Sequence, residues 1–191
     1  MLARIGLLHL KKGEEAQAFE QIGTALSYKP NHFQATLAAT SVMIAHGDYD
    51  VALSKYRNAL RNAPEDAVLW NNIGVAYFGK KKLLSSLVCL RRAAYLDPLN
   101  WIIAANRGIV ALHTGQYACA AQMLYTSIHL KRNCDKTNTD RDPSKRPKSG
   151  VTEGTGYSEG MLHGLLALAY IGLEDLDAAR QNNLSACKLD S

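Results

Sequence analysis

The feature that most constrains this chain is a pattern of aromatic and small residues that recurs at intervals of 34 residues. Its clearest copy begins at Ala67, and the pattern W-x2-L-G-x2-Y is matched by Trp70, Ile73, Gly74 and Tyr77. A helix with this spacing has glycine where another helix approaches closely and large side chains around that contact. The pattern therefore predicts helices that come in packed pairs.

The second half of the same copy supplies the partner helix. Ser86, Leu90 and Ala93 follow with the spacing of a second helix, although Ser86 stands where alanine is usual. Pro98 ends the unit, because proline cannot donate a backbone hydrogen bond inside a continuing helix. Together the two halves form the tetratricopeptide (TPR) signature. The sequence thus predicts an all-α TPR superhelical solenoid built from about five helix-turn-helix repeats.

The 34-residue spacing divides the chain into units. The predicted repeats are 1–32, 33–66, 67–100 and 101–132, with a fifth at 160–191. Between the last two, residues 133–159 contain almost no apolar side chains and cannot offset their ordering entropy, so we predict a disordered basic insertion. The first unit lacks its first two residues and no polar capping helix follows the fifth. We therefore expect the chain to belong to a longer array.

The net charge of +5 is concentrated in one segment. Seven basic and three acidic residues lie between Lys131 and Lys148, so this segment alone carries +4. Binding of nucleic acid by helical repeats would need positive charge along the helices and aromatic stacking surfaces. The repeats are nearly neutral, so we expect no nucleic-acid partner.

No arrangement of residues in the sequence predicts catalysis. None of the six histidines stands four residues from another, and no Cys/His cluster has the spacing of metal ligands. The glycines of 154–160 resemble a phosphate loop only superficially, because the third glycine comes one residue late and no strand precedes it. We expect a non-enzymatic protein with no catalytic residue, cofactor or metal site.

The candidate protein-binding surface is the concave groove that first helices line in TPR arrays, at unit positions 2, 5, 9 and 12. The residues predicted to contact a partner there are Leu37, Ser41, Asn71, Val75, Phe78, Ile102, Ile109 and Leu112. Stacked repeats also bury apolar first-helix residues, so about a third of this face is expected to be inter-helix packing instead. An uncharged groove favours an apolar segment, a helix or a neighbouring subunit over a charged tail.

A second candidate surface is the edge formed by the turns inside the repeats. The turn of the third repeat contains three consecutive lysines, Lys80, Lys81 and Lys82. Two interpretations stay open for them. They are either solvated turn residues, or contacts for an acidic partner or for anionic lipid headgroups.

One stretch is more specific than a general TPR repeat. The runs 69–74, 78–82 and 89–93, followed by Trp101, resemble the Bardet–Biedl syndrome 4 family, the TPR subunits of the BBSome. This resemblance implies a scaffold in a coat-like complex that traffics ciliary membrane proteins and acts in cilium assembly. It implies a cytoplasmic protein at the ciliary base, in the basal body or centriolar region, and in the cilium or flagellum.

The same resemblance implies the partners. They would be other BBSome subunits, ciliary cargo or pericentriolar proteins, with peripheral membrane association through the complex. The alternative is a generic TPR adaptor in another multi-protein assembly. An accessory TPR domain of an enzyme is also left open by the residues.

Overall fold

The computed structural model describes residues 2–28, 33–139 and 157–189, and within these ranges every regular element is an α-helix. The helices are α1 (Leu2–Lys11), α2 (Glu15–Tyr28), α3 (Phe33–Ala45), α4 (Tyr49–Asn62), α5 (Ala67–Gly79), α6 (Leu83–Leu96), α7 (Trp101–His113), α8 (Tyr117–Thr139), α9 (Glu159–Gly172) and α10 (Leu176–Leu189). Each helix packs on its neighbours in sequence. The predicted all-α solenoid is confirmed.

The turns inside the helix pairs share one backbone feature. Each contains a residue with a positive φ, and these residues are Gly13, Gly47, Lys81, Gly115 and Glu174. They follow one another at 34-residue intervals, except that the last interval is longer by 25 residues, which is the extra length of the insertion. The repeat seen in the sequence is therefore also a repeat of backbone geometry.

The pairing of helices depends on glycine at the point of closest approach. A Cβ atom on Gly74 would lie 2.6 Å from Leu90 Cγ, and one on Gly108 would lie 2.7 Å from Leu124 Cγ. Ser86, which replaces the usual alanine, donates its hydroxyl to the Gly74 carbonyl oxygen at 2.7 Å. A buried hydroxyl is tolerated at this contact because it is hydrogen-bonded.

The second repeat makes the same contact with different side chains. Thr40 stands where glycine is expected, and its hydroxyl donates to the carbonyl oxygen of Leu37 at 2.9 Å. Tyr56 stands where Leu90 stands in the third repeat, and it is fully buried. Thr40 and Asn72 lie near the Tyr56 hydroxyl, but neither forms a hydrogen bond of acceptable geometry with it. Burial raises the pKa of Tyr56 to about 12.

The first helices form the inner face of the array. Consecutive first helices, α1, α3, α5, α7 and α9, touch one another, whereas consecutive second helices do not approach comparably. A stack whose first helices are closer together than its second helices curves around the first helices. The inner face is therefore built from α1, α3, α5, α7 and α9.

The structure differs at both ends from the predicted disordered insertion at residues 133–159. Helix α8 continues past Arg132 to Thr139, so the prediction that disorder begins at residue 133 is wrong. Extending a helix that already packs on the array adds a hydrogen bond per residue without a new nucleation cost, and this outweighs the polar composition. At the other end, Tyr157 donates its hydroxyl to the Asn106 side chain at 2.9 Å. Residues 140–156 lie outside the described residues.

Candidate protein-binding surfaces

Three of the residues predicted for the groove lie in the core instead. Leu37, Asn71 and Ile102 are exposed by only 1%, 3% and 5%. They are buried because adjacent first helices approach each other closely, and positions 2 and 5 of the repeat fall inside that contact. A partner has no access to these side chains, so their assignment as groove contacts is corrected to inter-helix packing.

The remaining five predicted residues reach the surface of the inner face. Ser41 is exposed, and its hydroxyl donates to the Ala38 carbonyl oxygen at 2.8 Å. The other four are half-buried and apolar, and they are Val75, Phe78, Ile109 and Leu112. Together they form a surface without formal charge along α3, α5 and α7.

One further residue belongs to this surface and was missed from the sequence. The ring of His113 contacts Phe78 edge to face, with ring centroids 4.9 Å apart and planes at 66°. His113 is the last residue of α7 and lies one position beyond the four repeat positions predicted for the groove. The contact requires the ends of α5 and α7 to meet, which local sequence does not reveal.

A chain of buried amides holds the inner helices together. Asn106 donates its amide to the side-chain oxygen of Asn71 at 2.9 Å, and Asn71 in turn donates to Asn72 at 3.2 Å. Tyr157 donates to Asn106, and burial raises the pKa of Tyr157. These bonds connect α5, α7 and the segment that leads into α9. Because buried amides are costly unless they are paired, the chain allows one alignment of these helices.

The lysine turn contains one paired and two exposed side chains. Lys80 pairs with the carboxylate of Asp50, which lies on α4 of the preceding repeat. This hydrogen bond and the charge of Lys80 lower the pKa of Asp50. Lys81 and Lys82 are exposed. Lys80 thus contacts the preceding repeat, and the edge surface of Lys80, Lys81 and Lys82 stays a prediction.

The repeats on either side of the insertion are joined by a polar network. Arg132 Nε lies 2.5 Å from a carboxylate oxygen of Glu159, and Arg132 Nη2 lies 3.3 Å from His163 Nε2. His163 is buried, and its Nδ1 lies 3.0 Å from the side-chain oxygen of Asn182 on α10. Both ring nitrogens of His163 are therefore used in holding α8, α9 and α10 together.

Nowhere in residues 2–28, 33–139 and 157–189 do three or more His, Cys, Asp or Glu side chains come together as metal ligands would. Within the same ranges, no helix combines the length and apolarity that a membrane span requires.

Comparison with known proteins agrees with the repeat architecture. Residues 44–87 match the family model described as tetratricopeptide repeat. A thermophilic TPR protein of Thermus thermophilus has a similar structure, with a TM-score of 0.73 over 98% of this chain and 89% of that one. The sequence identity to it is 18%, so this likeness concerns the fold alone.

The sequence similarity is higher to a set of proteins named as BBSome complex members. The chain is 40% identical over 190 residues to BBSome complex member BBS4 of Bos taurus, and 41% identical to the protein of the same name from Mus musculus. These alignments cover 100% of this chain and 32% of each relative, so the chain spans about a third of their length. The chain thus carries a tetratricopeptide repeat match at residues 44–87 and resembles BBSome complex member BBS4 along its whole length.

Proposed function

We propose that this chain is a scaffold module of a BBSome-type complex, and that it binds other subunits rather than catalysing a reaction. The observation that carries the proposal is the similarity to BBSome complex member BBS4, which extends over every repeat of the chain. Five stacked repeats without a cofactor motif suit a scaffold, because such arrays offer long surfaces to partners.

The inner face is the surface proposed for a neighbouring subunit. Val75, Phe78, Ile109 and Leu112 are apolar and half-buried, and they carry no charge to match a charged tail. An amphipathic helix or apolar segment buries its own apolar side chains on such a surface. The buried amide chain supports this role, since it keeps α5 and α7 in one alignment before a partner arrives.

The proposed cellular setting is supported by the likeness to BBSome complex members and not by the geometry. Under this proposal the chain acts in trafficking of ciliary membrane proteins, at the ciliary base and in the cilium or flagellum. Ciliary cargo and pericentriolar proteins are its further proposed partners. Lys81 and Lys82 would aid peripheral association with anionic membranes through the complex, each basic residue near the surface contributing on the order of 1 kcal/mol.

The experiment is recovery of partners from ciliated cells on the tagged chain, compared with Ile109→Ser. Ile109→Ser should lower the yield of BBSome subunits, because truncation of a central apolar anchor costs on the order of 2 kcal/mol, or about thirtyfold in affinity. Leu84→Ser is the matched control, since Leu84 is 79% exposed on α6, outside the inner face. Circular dichroism of both variants must match the parent.

Two outcomes would redirect the proposal. If Ile109→Ser is folded and retains its partners while Lys81→Ser combined with Lys82→Ser loses them, the edge is the interface. If the parent chain recovers subunits of another assembly and no BBSome subunit, the chain is a generic TPR adaptor, as its likeness to a bacterial TPR fold would also allow.

A further inference from the structure

Two of the junctions between consecutive repeats are closed by a contact at the same place in the repeat. Between the second and third repeats, Trp70 Nε1 donates to the Pro64 carbonyl oxygen at 2.8 Å. Between the fourth and fifth repeats, His163 meets Arg132 at 3.3 Å. Trp70 and His163 are the fourth residues of their repeats, and Pro64 and Arg132 are the 32nd residues of the preceding ones. A large side chain thus fills each of these junctions.

The junction between the third and fourth repeats has no such contact. Its fourth residue is Ala104, and the 32nd residue of the preceding repeat is Pro98. A cavity of about 320 Å³ lies here, between the end of α6, the first half of α7 and the middle of α8. The Pro98 carbonyl oxygen accepts no hydrogen bond from the described residues.

The cavity arises from substitutions that the 34-residue spacing makes visible. At the preceding junction the equivalent residues pack in one apolar cluster, and these include Leu60, Ala63, Trp70 and Ile73. Their counterparts around the cavity are Ala94, Asp97, Ala104 and Arg107. Smaller and polar side chains therefore stand where the other junction is filled.

Arg107 gives the cavity its chemical character. Its guanidinium is half-buried and has no hydrogen bond or ion pair in the part of the chain that the structure describes. Burial lowers the pKa of Arg107, and repulsion by Arg91 lowers it further, against a smaller opposing effect of Cys119. Asp97 also lines the cavity, but its carboxylate accepts from the Asn100 amide at 3.0 Å. A half-buried positive charge without a partner favours binding of an anion.

We propose that this cavity is a docking site for a segment of a partner protein that carries an aromatic side chain next to an Asp or Glu. The aromatic ring enters where Trp70 lies at the preceding junction, and an indole N–H would donate to the Pro98 carbonyl oxygen. The neighbouring carboxylate pairs with Arg107, whose planar guanidinium suits two parallel hydrogen bonds. The volume of the cavity is at the lower end of the range for ligand pockets. A cavity of this size has room for one or two side chains.

This site is separate from the inner groove. Ala104 and Arg107 lie on a different side of α7 from Ile109 and Leu112, because the helix turns once in 3.6 residues. An aromatic anchor in a pocket beside a paired arginine is the composition typical of interface hot spots. The site could therefore hold a partner while the groove holds another.

The test uses a fluorescein-labelled peptide that has one tryptophan between pairs of glutamates, with binding to the 191-residue chain measured by anisotropy. Ala104→Trp fills the cavity with the residue found at the preceding junction and should weaken binding at least tenfold while raising the melting temperature. Arg107→Met should weaken binding to a similar extent. Arg180→Met is the matched control, because Arg180 is exposed on α10 and far from the cavity in sequence.

Two matched peptides separate the contributions of the two groups. One has alanine in place of tryptophan and the other has glutamine in place of every glutamate, and each should bind at least tenfold more weakly than the parent peptide. The proposal is overturned if the parent peptide shows no saturable binding, or if folded Ala104→Trp binds it as well as the unchanged chain. An equal loss with Arg180→Met would also overturn it, since binding would then follow overall charge.

Discussion

The contact between Gly74 and Leu90 gives the sharpest test of how the repeats are held together. A Cβ atom at Gly74 would lie 2.6 Å from Leu90 Cγ, 2.8 Å from its Cδ2 and 3.4 Å from the Ser86 carbonyl oxygen. Real Cβ atoms essentially never approach side-chain carbons this closely, and Leu90 is fully buried. The Gly74→Ala substitution must therefore push α5 and α6 apart or force Leu90 out of its rotamer.

The expected magnitude combines two opposing effects. Overpacking of a filled core costs about 1–3 kcal/mol. Replacing a helical glycine with alanine stabilises a helix by about 0.5–1 kcal/mol, because the unfolded chain loses freedom. The net loss in the free energy of unfolding should be about 1 kcal/mol for Gly74→Ala, within a range of about 0–2.5 kcal/mol, and larger for Gly74→Leu.

Gly164→Ala is the matched control for this prediction. Gly164 lies inside α9, and a Cβ built there meets no atom within 4 Å. Only the favourable helix effect remains, so Gly164→Ala should raise the free energy of unfolding by about 0.5–1 kcal/mol. The two alanine substitutions should therefore shift stability in opposite directions.

The assay is urea unfolding followed by circular dichroism, with the midpoint compared at constant slope. A double substitution adds a direct check, because Leu90→Ala removes the atoms that a Cβ at Gly74 would meet. In the Leu90→Ala background, Gly74→Ala should no longer destabilise. If Gly74→Ala stabilises the chain as much as Gly164→Ala does, the close approach of α5 and α6 is refuted.

Two further predictions concern single residues. Burial raises the pKa of Tyr56 to about 12 in the folded state, whereas the unfolded chain ionises near 10, so the free energy of unfolding should fall by about 2 kcal/mol as pH rises from 10 to 12. Tyr56→Phe should lack this part of the loss, and identical pH profiles would contradict the reasoning. Lys81 has φ 61°, a conformation unfavourable for non-glycine residues. Lys81→Gly should therefore raise the free energy of unfolding, measured by thermal unfolding, by about 0.5–1 kcal/mol. Lys82→Gly should not raise it, because φ of Lys82 is −88°.

The predicted inner face shows where sequence reasoning succeeded and where it stopped. The spacing identified Leu37 and Ile109 alike as first-helix residues of the inner face. Leu37 is buried and Ile109 reaches the surface, although both are apolar and both lie on the same side of a first helix. The difference depends on how closely neighbouring repeats approach, and this distance is not a property of either helix alone.

Composition misled the prediction at the insertion for a similar reason. The polar residues after Arg132 predict disorder when they are considered by themselves. In the folded chain they follow a helix that already packs on α7 and α9, so residues as far as Thr139 continue it at little cost. Local composition does not show whether a segment extends a helix that is already packed.

The sequence by itself determined the helix pairs, the 34-residue spacing and the need for a small residue at Gly74. These features depend on contacts within one repeat, between residues that are close in the chain. They are therefore visible as a periodic pattern in the sequence. Only the tertiary structure decided that Asn71, Asn106 and Tyr157 form one buried chain, that Lys80 pairs with Asp50, and that Ala104 leaves a cavity beside Arg107. These contacts join different repeats, and their formation depends on how the repeats are stacked, which no single stretch of sequence encodes.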